Sequence, residues 1–285
     1  VAPSPQNMKV LVLGASGKLG KMLRAVWAEQ RSPLVDLVYC ARQSPKRAGD
    51  VQWSPGDRTD HLPCVDAIVA LWGAVPGSGH SLDSNSTLAR SAIELASSLG
   101  ATRVLHCSSA AVYHPNGAPL REEDDVEPPT EYGKSKRSME RLIEQLSQEP
   151  GAPSMVSMRI ANVAGADSLF ANMKPGGSLR LDRFADGQGP LRSYVAPDDL
   201  ARAIVALVLV KDIAGPVNIA APAVTAMHDL ALAVGCRVAW QDAPPQAIAS
   251  VSLNTSKLAR ILPLSDRSSD ASYLVNSARR GGVWP

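Results

Sequence analysis

Short, unbroken apolar runs recur along the chain, each followed by polar stretches or by apolar positions spaced three or four residues apart. Met8 to Gly14 ("MKVLVLG"), Leu34 to Ala41 ("LVDLVYCA"), Asp50 to Trp53 ("DVQW"), Val65 to Leu71, Thr102 to Ser109 and Ser154 onward ("SMVSMRIANVAG") read as six strands. Leu19, Leu23, Val26 and Trp27 share one face of a helix over "KLGKMLRAVWAEQ". Ser84 to Leu99 reads as a second helix, stopped by Gly100. Thr130 to Gln148 reads as a third, capped by Thr130 and barred from growing backwards by Pro128 and Pro129. Strands without polar alternation belong to a parallel sheet covered on both faces. Strand–helix alternation then predicts an α/β fold, a doubly wound (Rossmann), mostly parallel sheet.

After Gly165 the rhythm changes. Gly and Pro punctuate "NMKPGGSLRLDRFADGQGP", then a strand-like "LRSYVA" and a helix, Pro197 to Val210, follow. The tail from Gly215 has only short elements and a Pro-Pro turn at Pro244. The predicted organisation is a dinucleotide-binding Rossmann domain over residues 8–165, completed by 191–212. Residues 166–190 and 213–285 form a small C-terminal substrate lobe over the carboxyl ends of the strands.

Composition narrows the class. The chain of 285 residues is 45% apolar with a net charge of +2, signs interspersed, which argues against a nucleic-acid partner. No run approaches the roughly 20 apolar residues of a membrane span, so no membrane partner is expected. Val1 to Asn7 reads as a flexible leader without the features of a signal peptide. Cys40, Cys64, Cys107 and Cys236 are scattered, with no C-x-x-C. Cys40 and Cys107 lie in apolar runs and read as buried thiols of a reducing compartment, so a cytoplasmic protein is the expectation. His61, His80, His106 and His228 show no ligand spacing, and no metal is predicted.

The first chemical signal is "GASGKLG". Gly14, Gly17 and Gly20 stand between the first strand and first helix, where a backbone without side chains can approach a pyrophosphate at the helix amino terminus. Ser16, Lys18 and Leu19 of the same loop join them as candidate dinucleotide contacts. A plain strand–helix turn is the competing reading. At the end of the second strand, where an acidic residue would hold the ribose of NAD, the chain reads "YCARQ". Asp36 comes too early; Arg42 follows the strand, with Lys46 and Arg47 behind it. A guanidinium there suits a 2′-phosphate, so NADP(H) is favoured over NAD(H), against the reading of an ordinary basic loop. Leu71, Trp72 and Gly73 in "LWGAVPG", and Cys107 on the fifth strand, are further candidate cofactor contacts.

The second signal is "EYGKSK". Tyr132 and Lys136 are spaced i, i+4 and share a helix face. A nearby ammonium lowers the pKa of a phenol, which then exchanges a proton with an alcohol or carbonyl as hydride moves. "CSSAAVY" supplies Ser108 and Ser109 to hold the substrate oxygen.

Five stretches, "VLVLGASGKLG", "LHCSSAAVYHP", "EYGKSK", "RIANVAG" and "RSYVAPDDLARAI", in this order, resemble the extended short-chain dehydrogenases/reductases of the NAD-dependent epimerase/dehydratase family. The resemblance covers most of residues 8–210. It implies that Tyr132, Lys136 and Ser109 are catalytic, with Lys136 also on the nicotinamide ribose. It implies that Asn85 lies near that ribose, with a helix cap as the alternative, and that Asn162 meets nicotinamide or substrate, with a turn role as the alternative. Asp199 would be structural, and either Asp198 or Asp199 a cap after Pro197. It further implies a homodimer.

The chain departs from the family pattern in places. "VYH" replaces the usual "VYG", so His114 either lines the substrate pocket or is a bland loop residue. Trp53 or Asp57 would take the place that meets adenine. The tail looks shorter than in many nucleotide-sugar enzymes. Arg192, with Arg180 and Arg183, is a candidate for an anionic substrate group, and the acidic run Arg121 to Asp125 is a solvated loop or a border of the site. The expected activity is an NAD(P)-dependent oxidoreductase or epimerase/dehydratase, moving hydride between nicotinamide and a carbinol or carbonyl carbon of a small, sugar-like or otherwise hydroxylated substrate. The rival is a non-catalytic NAD(P)-binding regulator on the same fold.

Overall fold

The computed structural model describes residues 7–43, 47–124 and 127–284; the leader residues 1–6, Lys46 and Asp125 fall outside this range. Along the chain run β1 (Met8–Leu13), α1 (Lys18–Glu29), β2 (Val35–Ala41), β3 (Val51–Gln52), β4 (Ala67–Ala70), α2 (Ser84–Leu99), β5 (Arg103–Ser109), α3 (Glu131–Leu146) and β6 (Ser154–Ile160). The second half holds β7 (Asn162–Val163), α4 (Ser168–Asn172), β8 (Ser178–Arg183), β9 (Leu191–Val195), α5 (Pro197–Leu209) and β10 (Gly215–Ile219). Last come β11 (Val224–Ala226), α6 (Met227–Val234), β12 (Arg237–Asp242), β13 (Ser250–Val251), α7 (Ser256–Ala259) and α8 (Ala271–Arg280).

The main sheet is parallel throughout, in the order β10-β6-β5-β4-β1-β2-β3. Strand β1 shows why its sequence is apolar without alternation. Neighbouring side chains of a strand point to opposite faces. Val10 and Val12 pack with Met22, Leu23 and Val26 of α1 and Leu200, Ile204 and Leu207 of α5. Leu11 and Leu13 pack on the other face with Ala92, Leu95 and Leu99 of α2. Both faces are therefore dry, and each fully buried aliphatic side chain contributes about 1.5–3 kcal/mol.

A second core joins α4, β8, α6 and α8 through Leu169, Phe170, Leu179, Leu181, Leu230 and Leu274. Its strands pair locally: β12 with β8, and β9 with β7, β11 and β13. Two segments fall differently from the sequence expectation. Residues 215–219, assigned to the lobe, form β10 and pair with β6 at the edge of the main sheet, with Val217 and Ile219 fully buried. "LRSYV" (β9) pairs outside the main sheet. Both runs are five residues long, too short for periodicity to say which sheet takes them.

Asp198 and Asp199 do not cap α5, whose N-cap is Ala196 without a side-chain bond. They bind α8 instead. Asp198 pairs with Arg280, the Asp198 N–H donates to Ser277 Oγ (3.1 Å), and Tyr273 donates its hydroxyl to Asp199 (3.1 Å). These bonds fasten the C-terminal helix against the large domain.

Candidate functional site

The strand order changes direction between β1 and β4, and in open α/β sheets ligands bind in the crevice beyond the strand ends at such a switch point. A cavity of about 660 Å³ opens there. At one end it is lined by Gly14, Ser16, Gly17, Lys18, Leu19 and Gly20, and at the other by Ser108, Ser109, Tyr132 and Lys136.

Gly14 ends β1 at φ +78°, and a Cβ there would lie 2.6 Å from the backbone nitrogen of Trp72. Only glycine fits this turn. Gly17 is the N-cap of α1 and makes no side-chain cap bond, so first-turn N–H groups of the helix are left for an anion. Lys18 reaches across the cavity and donates to the carbonyl of Ala166 (2.8 Å). Arg42 lies at the end of β2, exposed and on the cavity wall; Asp36 is in register with Lys9 near the start of the strand. Trp53 and Trp72 form an aromatic wall, with ring centroids 6.0 Å apart and planes tilted by 32°; Leu71 and Gly73 line the same region. The Trp72 indole Nε1 is buried without a hydrogen-bond partner among the described residues.

The opposite end depends on how closely α3 approaches β5. A Cβ on Gly133 would lie 2.1 Å from the Ala111 carbonyl, so the glycine between Tyr132 and Lys136 lets α3 press onto the single 3₁₀ turn (Ala110–Val112) after Ser109. Thr130 caps α3, accepting from the Gly133 N–H at 3.1 Å. Tyr132 and Ser109 then line the same end of the cavity, and Ser109 Oγ accepts from the Ala111 N–H (3.1 Å). Lys136, 2% exposed, donates to the Cys107 carbonyl (2.9 Å), and its Nζ is 6.0 Å from the centroid of the Tyr132 ring.

The electrostatics differ from the expected acidified phenol. Burial pushes the Tyr132 phenol up to about 12, Cys107 adds to the rise, and the nearby Ser109 hydroxyl offsets only part of it. Lys136 spends one of its N–H bonds on the Cys107 carbonyl and makes no hydrogen bond to the Tyr132 hydroxyl. Its own pKa is lowered by burial, against the opposing influence of Cys107 and Glu140.

Other candidates are drawn elsewhere. Ser108 is buried and donates to Glu140 Oε1 (2.6 Å), so its proton is committed away from a substrate. Asn85 is buried on α2; it accepts from the Ala74 N–H (3.0 Å) and donates to the Ala74 carbonyl (3.1 Å) and Ser135 Oγ (3.0 Å). It thereby fixes the loop at Gly73 and Ala74 after β4. Asn162 begins β7, beside cavity residues Ala161 and Val163. Arg192 donates to the carbonyls of Leu191 (2.8 Å), Ala249 (3.1 Å) and Ile248 (2.9 Å), which ties it to the segment before β13. His114 is exposed and is not among the residues that line the cavity. Sequence reasoning missed Val75, His80 and Leu88 on the cavity wall, and the Glu140–Arg159 pair below Ser108. A carboxylate four residues after Lys136 was a signal available for Glu140. Among the described residues no group of three or more metal-ligating side chains occurs, and no helix is long and apolar enough to cross a membrane.

The chain matches the NAD dependent epimerase/dehydratase family over residues 10–220. No curated protein matches it. Its structure is similar to that of UDP-N-acetylglucosamine 4-epimerase from Bacillus cereus (TM-score 0.76, 18% identity, covering 96% of this chain and 99% of the other). It is also similar to the Bordetella bronchiseptica enzyme WbmG in complex with NAD and UDP (TM-score 0.76, 18% identity, 98% and 96% covered). MoeE5 in complex with UDP-glucuronic acid and NAD is a third (TM-score 0.73, 20% identity, 95% and 99% covered). At these identities the likeness is one of fold. Coverage is nearly complete in both directions, so the tail is not short beside these three proteins.

Proposed function

The chain belongs to the NAD-dependent epimerase/dehydratase family, and on that premise we propose that it rearranges a nucleotide-diphosphate sugar by reversible oxidation of one sugar hydroxyl. The observation that carries this reading is the continuity of a single cavity from the glycine loop to Ser109, Tyr132 and Lys136. The residues present fit a dinucleotide. The uncapped start of α1 and the glycine loop suit the pyrophosphate, and the Trp53–Trp72 wall and Arg42 suit the adenosine half. When bound, the dinucleotide would supply the hydride acceptor and, in its oxidised form, a positive charge within the same cavity. Ser109 orients the substrate oxygen. Tyr132 exchanges the proton at that same oxygen, taking it from the alcohol and returning it to the carbonyl. Lys136 holds a positive charge beneath the phenol and anchors α3 to the end of β5.

The finer parts of the reading are these. Arg42 and the missing carboxylate at the end of β2 favour NADP(H) over NAD(H). Residues 166–190, with 213–285 apart from β10, select the substrate. Family likeness alone suggests a cytoplasmic homodimer, which light scattering checks for its oligomeric part.

The test has two parts. Purified protein is denatured and the released nucleotide identified by mass spectrometry, and NAD⁺ and NADP⁺ are titrated calorimetrically. The protein is then incubated with UDP-N-acetylglucosamine, UDP-glucose and UDP-glucuronic acid, and products are followed by NMR. Dinucleotide binding with a rearranged sugar supports the reading. Binding without change in any sugar sinks the substrate class, and no binding of either dinucleotide sinks the whole assignment.

A further inference from the structure

Glu140 and Arg159 form an ion pair sealed inside the protein, their side chains 1% and 2% exposed. Arg159 Nε donates to both carboxylate oxygens (3.1 and 3.3 Å) and Nη2 to Oε2 (2.8 Å). Arg137 Nη1 lies 3.6 Å from Oε2, and Ser108 Oγ donates to Oε1 at 2.6 Å. The remaining Arg159 donor, Nη1, serves the Tyr113 hydroxyl (2.9 Å) and the Glu122 carbonyl (3.2 Å).

A buried pair of this kind is poorly explained by stability. Well-packed apolar residues of similar volume do as well or better, because desolvating two charges offsets most of their attraction. What apolar residues lack is directionality. The Glu140 carboxylate is rigidly oriented by Arg159 on β6 and bonded to Ser108, the immediate neighbour of Ser109. Its own helix carries Lys136 one turn earlier and Tyr132 two turns earlier. One carboxylate thus joins the strand bearing Ser109 to the helix bearing the other two groups.

We propose that Glu140 is a positioning residue: through Ser108 and Arg159 it sets the spacing among Ser109, Tyr132 and Lys136, and thereby the rate of the proton-coupled step. The proposal rests on the reading above. Misplacement by about 1 Å is worth on the order of 100-fold in rate, so a lost tether acts on kcat while leaving the dinucleotide and substrate sites intact.

The experiment uses Ser108→Ala alone and the apolar replacement Ser108→Ala/Glu140→Leu/Arg159→Leu, which leaves no orphaned charge. Melting temperature, NAD⁺ affinity and steady-state kcat and KM with UDP-N-acetylglucosamine are measured. The triple variant is expected to stay folded, to hold NAD⁺ affinity and KM within about threefold, and to lose about 100-fold in kcat. Ser108→Ala is expected to lose about tenfold in kcat at an unchanged melting temperature. Should the triple variant fail to fold, Ser108→Ala carries the test. Wild-type kcat in a folded variant overturns the proposal. If the wild-type protein transforms no UDP-sugar, the reaction assigned above fails instead, and a crystal structure of Ser108→Ala decides the positioning. Ser109 Oγ and Lys136 Nζ displaced from their wild-type places uphold it; unchanged places overturn it.

Discussion

Lys136 and Cys107 are joined by a 2.9 Å hydrogen bond from a buried ammonium to a main-chain carbonyl. The bond ties the middle of a helix to the end of the strand that carries Ser109. It puts a cation under the Tyr132 ring while the phenol itself is raised to about 12 by burial.

Removing the phenol's hydroxyl should separate chemistry from binding. Tyr132→Phe is expected to lower turnover by about 10²–10⁴-fold, the range of general acid–base catalysis, with dinucleotide affinity within about threefold of wild type. Lys136→Met should lower both, since it deletes a charge and the Cys107 anchor. Calorimetry paired with product NMR checks the two variants, and full turnover by Tyr132→Phe would end the catalytic assignment.

Arg42 stands exposed on the cavity wall. Arg42→Ala should weaken NADP⁺ by about ten- to a hundredfold, in line with about 1.5–3 kcal/mol for a hydrogen bond to a charged group. NAD⁺ binding should hardly change. Equal effects on both dinucleotides would remove Arg42 from the 2′-phosphate.

His106 is fully buried on β5, its Nε2 has no partner among the described residues, and burial together with the Lys136 charge pushes its pKa down to about 3. The unfolded chain protonates near 6.5 and the folded chain near 3, so between these values the unfolded state binds more protons. Stability is fully present above about 6.5 and is lost as pH falls towards 3, by on the order of a few kcal/mol. Urea melts from pH 7 to pH 4 should show this slope in wild type and a flatter one in His106→Gln. Parallel slopes would exclude His106 as the source.

Gly14→Ala combines a left-handed backbone with a Cβ 2.6 Å from a backbone nitrogen that cannot retreat freely. The expected loss is about 1–3 kcal/mol of stability, together with dinucleotide binding. Differential scanning calorimetry and NAD⁺ titration check it, and a variant with wild-type melting and affinity would contradict the turn geometry.

Much of this protein is written in short-range patterns. The strand runs of β1, β2, β4, β5 and β6 stand out because both faces of the sheet are dry, which removes polar alternation. The glycine loop stands out because a tight turn against Trp72 excludes side chains. Tyr132 and Lys136 fall on one helix face by spacing alone, and Arg42 marks the end of β2 by position.

What those patterns do not hold is who meets whom across the chain. Ser108 looks as available as Ser109 until Glu140, 32 residues later, is seen to accept its hydrogen bond. Arg192 looks free until carbonyls 56 and 57 residues away claim it. β10 shows too few apolar residues to declare that it extends the main sheet, and a phenol near an ammonium reads as acidic until burial is counted against it. Periodicity and spacing record which side chains share a face of one element, a property of a few adjacent residues, and so the sequence by itself determined the layers and the position of the cavity. Hydrogen-bond partners and desolvation depend on groups brought together from distant segments, and those were decided only when β5, α3 and β6 closed around Glu140 and Lys136.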